Sequence, residues 1–182
     1  MKSNTQGCVT VLGIDPGLAT TGWGIIETQN SPMGKPTGQA PLKTQNYGVI
    51  KTASKNNLGL RLEKIYSELN QLIKRYGPDI VAVEKLFFGK NAKTAMLVGE
   101  ARGVIILVSQ KHKLDILEYT PLQIKLATCG YGQAGKQQVQ KMVKQLLNLQ
   151  EIPRPDDAAD ALAVAYTAIV NAKFKIYTEH GT

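Results

Sequence analysis

With 182 residues, 43% of them hydrophobic and 20% charged, the chain reads as one domain whose core needs no disulfide staples. Cys8 and Cys129 lack the spacing of a zinc site or a disulfide framework, which fits a reducing cytoplasm. The net charge of +8 points to an anionic partner, nucleic acid first, and no stretch nears the ~18 apolar residues of a membrane span.

Val9 to Ile14 reads as a buried strand that ends in Asp15 and the turn Pro16-Gly17. The apolar run is too short for a signal peptide and leads straight into the acid. An acid on the rim of an apolar strand is costly unless its charge is compensated. Thr21 to Thr28 is a second strand and Tyr47 to Thr52 a third, linked by an exposed loop over Asn30–Thr44. Links without a helix predict an antiparallel meander. Leu62, Ile65, Leu69, Leu72, Ile73 and Tyr76 then recur at helical spacing, and Gly77-Pro78 ends that helix. Ile80 to Glu84 is an apolar strand, covered on both faces, that again ends in an acid.

Asn91 to about Gln110 reads as a long helix, in which Gly99 and Gly103 share a face. That face either packs on the sheet or forms a symmetric dimer contact. Leu114 to Tyr119 is the fifth strand. Thr120-Pro121 starts a capped helix that runs to about Thr128. Gly130 to Lys136 reads as a flexible loop, and Val139, Met142, Val143, Leu146 and Leu147 form another amphipathic helix. After Pro153 and Pro155, a last helix runs from about Asp156 to Ala172. The fold class is α/β, with a mixed five-stranded sheet whose later strands are parallel.

Asp157 and Asp160 share a helix face, whereas Asp156 suits the helix dipole alone. Ala158 and Ala159 let that helix approach the sheet, which would bring its acids to Asp15 and Glu84. Taken singly, each acid reads as a cap or a surface group. Four carboxylates without His or Cys suit Mg²⁺ or Mn²⁺, and two such ions about 3.5–4 Å apart serve phosphoryl displacement. Phe87 and Phe88 cannot both face the core from a regular strand, so one stacks on bases or both lie in an irregular loop. Lys85, Lys90, Lys93, Arg102, Lys125, Lys136, Lys141 and Lys144 are candidate phosphate contacts.

Gly13-Ile14-Asp15-Pro16-Gly17 with Thr21-Gly22-Trp23-Gly24-Ile25 resembles the opening of the RuvC Holliday junction resolvases. The likeness continues in order at Glu84-Lys85-Leu86-Phe87-Phe88-Gly89-Lys90-Asn91, Gly99-Glu100-Ala101-Arg102-Gly103, Lys136-Gln137-Gln138-Val139 and Asp157-Ala158-Ala159-Asp160-Ala161-Leu162-Ala163. It implies an RNase H-like fold, a homodimer, and Mg²⁺-dependent nicking of two opposed strands of a four-way DNA junction. Resealable 5′-phosphate and 3′-hydroxyl ends are expected. Carried over by position, Asp15, Glu84, Asp157 and Asp160 hold metal, Phe87 meets the junction centre, and Lys125 and Lys136 flank the scissile phosphate. Phe88, Lys90, Asn91 and Arg102 are further expected DNA contacts. The RuvA–RuvB branch-migration complex is the implied partner, and a bacterial cytoplasm beside the nucleoid the implied setting. The Asn30–Thr44 loop looks longer than the family's and the tail shorter.

Three rivals stand beside this reading. The Gly-Ile-Asp-Pro-Gly turn also resembles that of actin-like ATPases and sugar kinases, which need two large lobes. A module that binds branched DNA without cutting would not need clustered acids. An RNase H-like nuclease acting on RNA or a hybrid differs only through the family motifs.

Overall fold

Strands β1 (Thr10–Asp15), β2 (Thr20–Thr28) and β3 (Leu42–Lys51) form the expected antiparallel meander. Strands β4 (Ile80–Glu84) and β5 (Asp115–Tyr119) extend it in parallel from β1, so the order is β3-β2-β1-β4-β5. This is a computed structural model that describes residues 8–28, 42–85 and 92–179, with side chains at 8–28, 42–85 and 95–171. Its mixed sheet with helices on both faces has the RNase H-like architecture.

Helices α1 (Leu58–Tyr76) and α2 (Ala92–Lys111) cover one face, over Leu12, Ile14, Ile25, Val81 and Val83. Helices α3 (Pro121–Cys129), α4 (Lys136–Leu146) and α5 (Asp156–Glu179) cover the other, over Val11, Ile26 and Ala82. Local signals set the helix ends. Asn57 caps α1 by accepting from the Leu60 amide, and Gly77 closes it at a left-handed φ of 53°. Thr120 and Gln123 form a capping box ahead of Pro121.

Alternation along the strands decides the side on which the acids stand. Leu12 and Ile14 face α1 and α2, whereas Val11 and Gly13 face α5. By the same period of two, Asp15 belongs to the α5 side. In β4, Val81 and Val83 face α1 and α2 and Ala82 faces α5, so Glu84 also stands on the α5 side.

Several expected boundaries move. Strand β3 begins at Leu42, because its ladder with β2 continues past an irregularity at Ile25/Ile26 to Leu42 opposite Thr28. Leu42 to Thr44 are therefore strand and not loop, while residues 29–41 lie outside the described residues. Lys136 is the first residue of α4 with Gly135 as its N-cap, not the end of a flexible loop. Buried Ala134, 1% exposed, pins the approach to that helix in the core. Helix α5 continues to Glu179. Gly103 does not pack on the sheet: a Cβ added there meets nothing within 4 Å.

Candidate active site

Ile14 pairs with Val83 across the parallel β1–β4 ladder. The next residues, Asp15 and Glu84, therefore stand side by side at the C-terminal end of the sheet. Their carboxyl groups lie within hydrogen-bonding reach of each other. The first turns of α5 lie directly above them. Gly22 pairs with Asp15, and a Cβ on Gly22 would stand 1.9 Å from the Asp157 carbonyl oxygen. A Cβ on Gly13 would stand 2.2 Å from the Ala161 oxygen, and one on Gly24 2.7 Å from a Leu162 methyl.

Three strand glycines thus form a bed that lets α5 descend onto β1 and β2. Ala158 and Ala159 are wholly buried, as the expected close approach requires. They are only half of the device, and the sequence reading missed the other half. The available signal was glycine inside otherwise apolar strands, which marks close backbone approach.

The acids sense one another. Burial pushes the Asp15 pKa from 3.8 up to about 8, helped by the charges of Glu84, Asp160 and Asp157 and by a hydrogen bond to Glu84. Burial also raises the Glu84 pKa, against the hydrogen bond from Asp15 and the positive charges of Lys125 and Lys136. Burial raises that of Asp160 too, although Lys136 opposes the shift. Lys136 sits at the start of α4 with its Nζ 3.2 Å from Asp160 and 3.6 Å from Asp156. Burial disfavours its charge, but Asp160 and its acidic neighbours outweigh that and raise its pKa. Lys125 on α3 joins Glu84, Lys136 and Asp160 around a cavity of about 190 Å³. Asp156 bonds Arg154 at 2.8 Å, in keeping with a helix-end role.

In this conformation the acids are engaged in pairs, Asp15 with Glu84 and Asp160 with Lys136. Among the described residues, no three His, Cys, Asp or Glu side chains already surround one point. The cluster nonetheless fits a hard cation. Its donors are all carboxylate oxygens, and burial together with the charges of Glu84, Asp160 and Asp157 disfavours ionisation of Asp15 until a cation offsets them.

The remaining candidates fall elsewhere. Arg102, expected at the DNA, hydrogen-bonds Glu118 on β5, and its Nε is buried without a partner. The Arg102 side chain remains 25% exposed beside that pair. Lys85 and Lys141 are exposed and Lys144 is half-buried. Phe87, Phe88, Lys90 and Asn91 lie outside the described residues, as does the Lys93 side chain. No described helix is long and apolar enough to cross a membrane.

Comparison with known proteins gives the family and the fold. The family profile described as crossover junction endodeoxyribonuclease RuvC matches residues 11–168. A crossover junction endodeoxyribonuclease RuvC of Caldicellulosiruptor saccharolyticus is 53% identical over 169 residues, covering 93% of this chain and 97% of that protein. The Thermus thermophilus RuvC structure superposes with a TM-score of 0.82 at 31% identity, covering 92% of this chain and 97% of the other. The same protein in complex with Holliday junction substrate superposes at 0.80 with 30% identity, covering 91% and 96%. On sequence and architecture together, the chain belongs to the crossover junction endodeoxyribonuclease RuvC family.

Proposed function

We propose that Asp15, Glu84, Asp157 and Asp160 hold divalent metal, and that the chain resolves four-way (Holliday) DNA junctions by hydrolysing one phosphodiester in each of two opposed strands. The observation that carries this reading is the placement of Asp15 beside Glu84, beneath the start of α5, in a chain of net charge +8. Mg²⁺ suits the oxygen donors, with Mn²⁺ as the substitute, and four carboxylates suffice for two ions. Held by Asp15, Glu84, Asp157 and Asp160, such ions would supply Lewis-acid activation of water and charge balance for hydrolysis that leaves 5′-phosphate and 3′-hydroxyl ends.

The chain's own groups do the rest. The strand-end acids are held rigidly by the sheet, so they keep one face of the metal site in place. Lys125 and Lys136, which border the same cavity, offset charge on the scissile phosphate. Phe87, or its sequence neighbour Phe88, stacks at the opened junction centre, and Lys90 and Asn91 contact the DNA. The same reading supplies the RuvA–RuvB complex as partner and a bacterial cytoplasm, beside the nucleoid, as setting.

The protein works as a homodimer, since two symmetric cuts are most simply made by two identical sites. Helix α2 offers the surface. Met96 and Leu107 are 63% and 56% exposed, and Gly103 between them faces open space. Positions seven and four apart share a helix face. Leu107→Glu should weaken the dimer by roughly 100-fold, because it would bury an unpaired carboxylate. Sedimentation velocity should show monomer, and the two nicks should become independent. A variant that stays dimeric would move the interface elsewhere.

The deciding experiment offers the chain a four-way junction, a linear duplex and an RNA–DNA hybrid, with Mg²⁺ and with chelator. Paired symmetric nicks in the junction alone, only with Mg²⁺, are expected. Preferred cutting of the hybrid would shift the reading to an RNase H-like nuclease for RNA. Junction binding without any cutting would leave a recognition module.

A further inference from the structure

We infer that Lys51, Lys55 and Arg61 form a second DNA contact, a ledge at the β3–α1 junction that grips backbone phosphates about three nucleotides from the cut. This rests on the junction-nuclease reading and extends it to residues on the far side of the acids from Lys125 and Lys136.

The placement comes from the sheet. Asp15 pairs with Gly22 on β2, and Thr20, two residues earlier, pairs with Lys51 at the end of β3. The C-terminal ends of β1 and β3 therefore lie at one end of the sheet, two strand spacings apart, which is about 10 Å. One DNA strand carries a phosphate every ~3.4 Å of helix axis, so that span corresponds to about three nucleotides.

The ledge is tied to the turn that follows Asp15. The Thr52 amide donates to Ala19 O at 3.0 Å, and Thr52 Oγ1 donates to Leu18 O at 2.6 Å. Arg61 Nε in turn donates to Thr52 Oγ1 at 2.8 Å. One continuous chain of hydrogen bonds thus runs from the catalytic turn to a guanidinium, which orients its plane.

The charge is of one sign. Lys51 and Lys55 are exposed, and among the described residues no carboxylate forms an ion pair with either of them or with Arg61. The first turn of α1 carries no acid, so the positive end of its dipole adds to the field. Glu63 follows Arg61 by two positions, which puts it on a different face of the helix.

The chemistry gives the ledge its purpose. Four clustered carboxylates repel a phosphodiester, so positive charge on one side alone would let the strand swing away. Lys125 and Lys136 act on the α3–α4 side. The ledge acts on the β2–β3 side, and the strand is held across the acids between them.

The test neutralises the two exposed lysines together as Lys51→Gln/Lys55→Gln. A matched pair at the other end of the sheet, Lys43→Gln/Lys74→Gln, removes the same charge. Junction affinity is measured in chelator at several salt concentrations, and nicking is measured with Mg²⁺. The ledge pair should weaken binding about 10-fold and lower the slope of log K against log salt by about two. It should also raise KM while leaving kcat close to wild type, and expose to phosphate-directed cleavage the positions about three nucleotides from the nick. The matched pair should do none of this. Equal effects from both pairs would mean bulk charge alone, and an unchanged slope and footprint would mean no contact; either overturns the ledge. A wild-type chain that neither binds nor cuts a junction would instead remove the nuclease reading, and the ledge with it.

Discussion

Asp15→Asn should lower junction nicking by at least roughly 10³-fold, or about 4 kcal/mol in the barrier, while junction binding in chelator survives. The substitution keeps shape and removes the carboxylate at the centre of the cluster. Asp15 is the acid whose ionisation Glu84, Asp160 and Asp157 all oppose, so it is the group that a bound cation would relieve most. Single-turnover nicking of a labelled junction measures the effect. Cleavage at the wild-type rate would end the assignment of the cluster as the catalytic centre.

The same variant should alter how stability depends on pH in the absence of metal. Asp15 has a pKa of about 8 in the fold against 3.8 for an unperturbed aspartate. Between those values the folded state holds a proton that the unfolded chain has released. Stability without metal must then fall as pH rises from about 4 to about 8, by an amount on the order of a few kcal/mol. Burial of Glu84 and Asp160, whose pKa values are also raised, adds in the same direction. Asp15→Asn removes the largest contributor, so in chelator at pH 8 the variant should melt higher than wild type. Saturating Mg²⁺ should reverse that order, because it stabilises only the chain that keeps its carboxylate. A wild-type melting temperature that is flat or rising with pH in chelator would show that the acids do not crowd one another.

Gly22→Ala should cost nearly as much activity with no change to any acid. An added Cβ would stand 1.9 Å from the Asp157 oxygen and 2.5 Å from its carbonyl carbon, both backbone atoms that cannot rotate away. Real Cβ atoms keep about 3.0 Å, so the start of α5 must retreat by about 1.1 Å, which is 3.0 less 1.9. Overpacking of this kind costs ~1–3 kcal/mol of stability. Misplacing catalytic groups by about 1 Å can cost ~10²-fold in rate. Asp157 and Asp160 ride on the displaced turn, so single-turnover nicking should fall about 10²-fold while the chain remains folded below its lowered melting temperature. Gly13→Ala, against the Ala161 oxygen at 2.2 Å and the Ala165 amide at 2.6 Å, should lower both the melting temperature and the nicking rate, because Ala161 directly follows Asp160 on the helix that would be displaced. Wild-type nicking by Gly22→Ala would mean that the acids tolerate a looser seat than the glycine bed supplies.

Much of this was legible in the residues alone. Apolar runs ending in Asp15 and Glu84, and a change of period after Thr52, define the strands and the order of elements, because these are local patterns of burial and turn chemistry. The capping pair Thr120-Pro121 and the stop at Gly77-Pro78 were equally plain. Asp15 and Glu84 could be singled out because carboxylates at the ends of buried strands need a reason to be there, and Asp157 and Asp160 because they share one face of an otherwise nearly uncharged helix.

What the residues alone left open was everything set by pairing between distant segments. Parity shows that Asp15 shares a face with Gly13, but not that α5 is the helix covering that face. Only the β1–β4 register puts Glu84 beside Asp15, since one residue of slip would turn it to the opposite side. Lys136 looked like a loop residue until its place at the start of α4 set it against Asp160, and the pairing of Arg102 with Glu118 across the fold has no signal in the spacing of the two residues. The physical reason is common to all of these. Helix and strand form from neighbours along the chain, whereas charges meet through packing, and packing is decided by which small residues let two backbones come close.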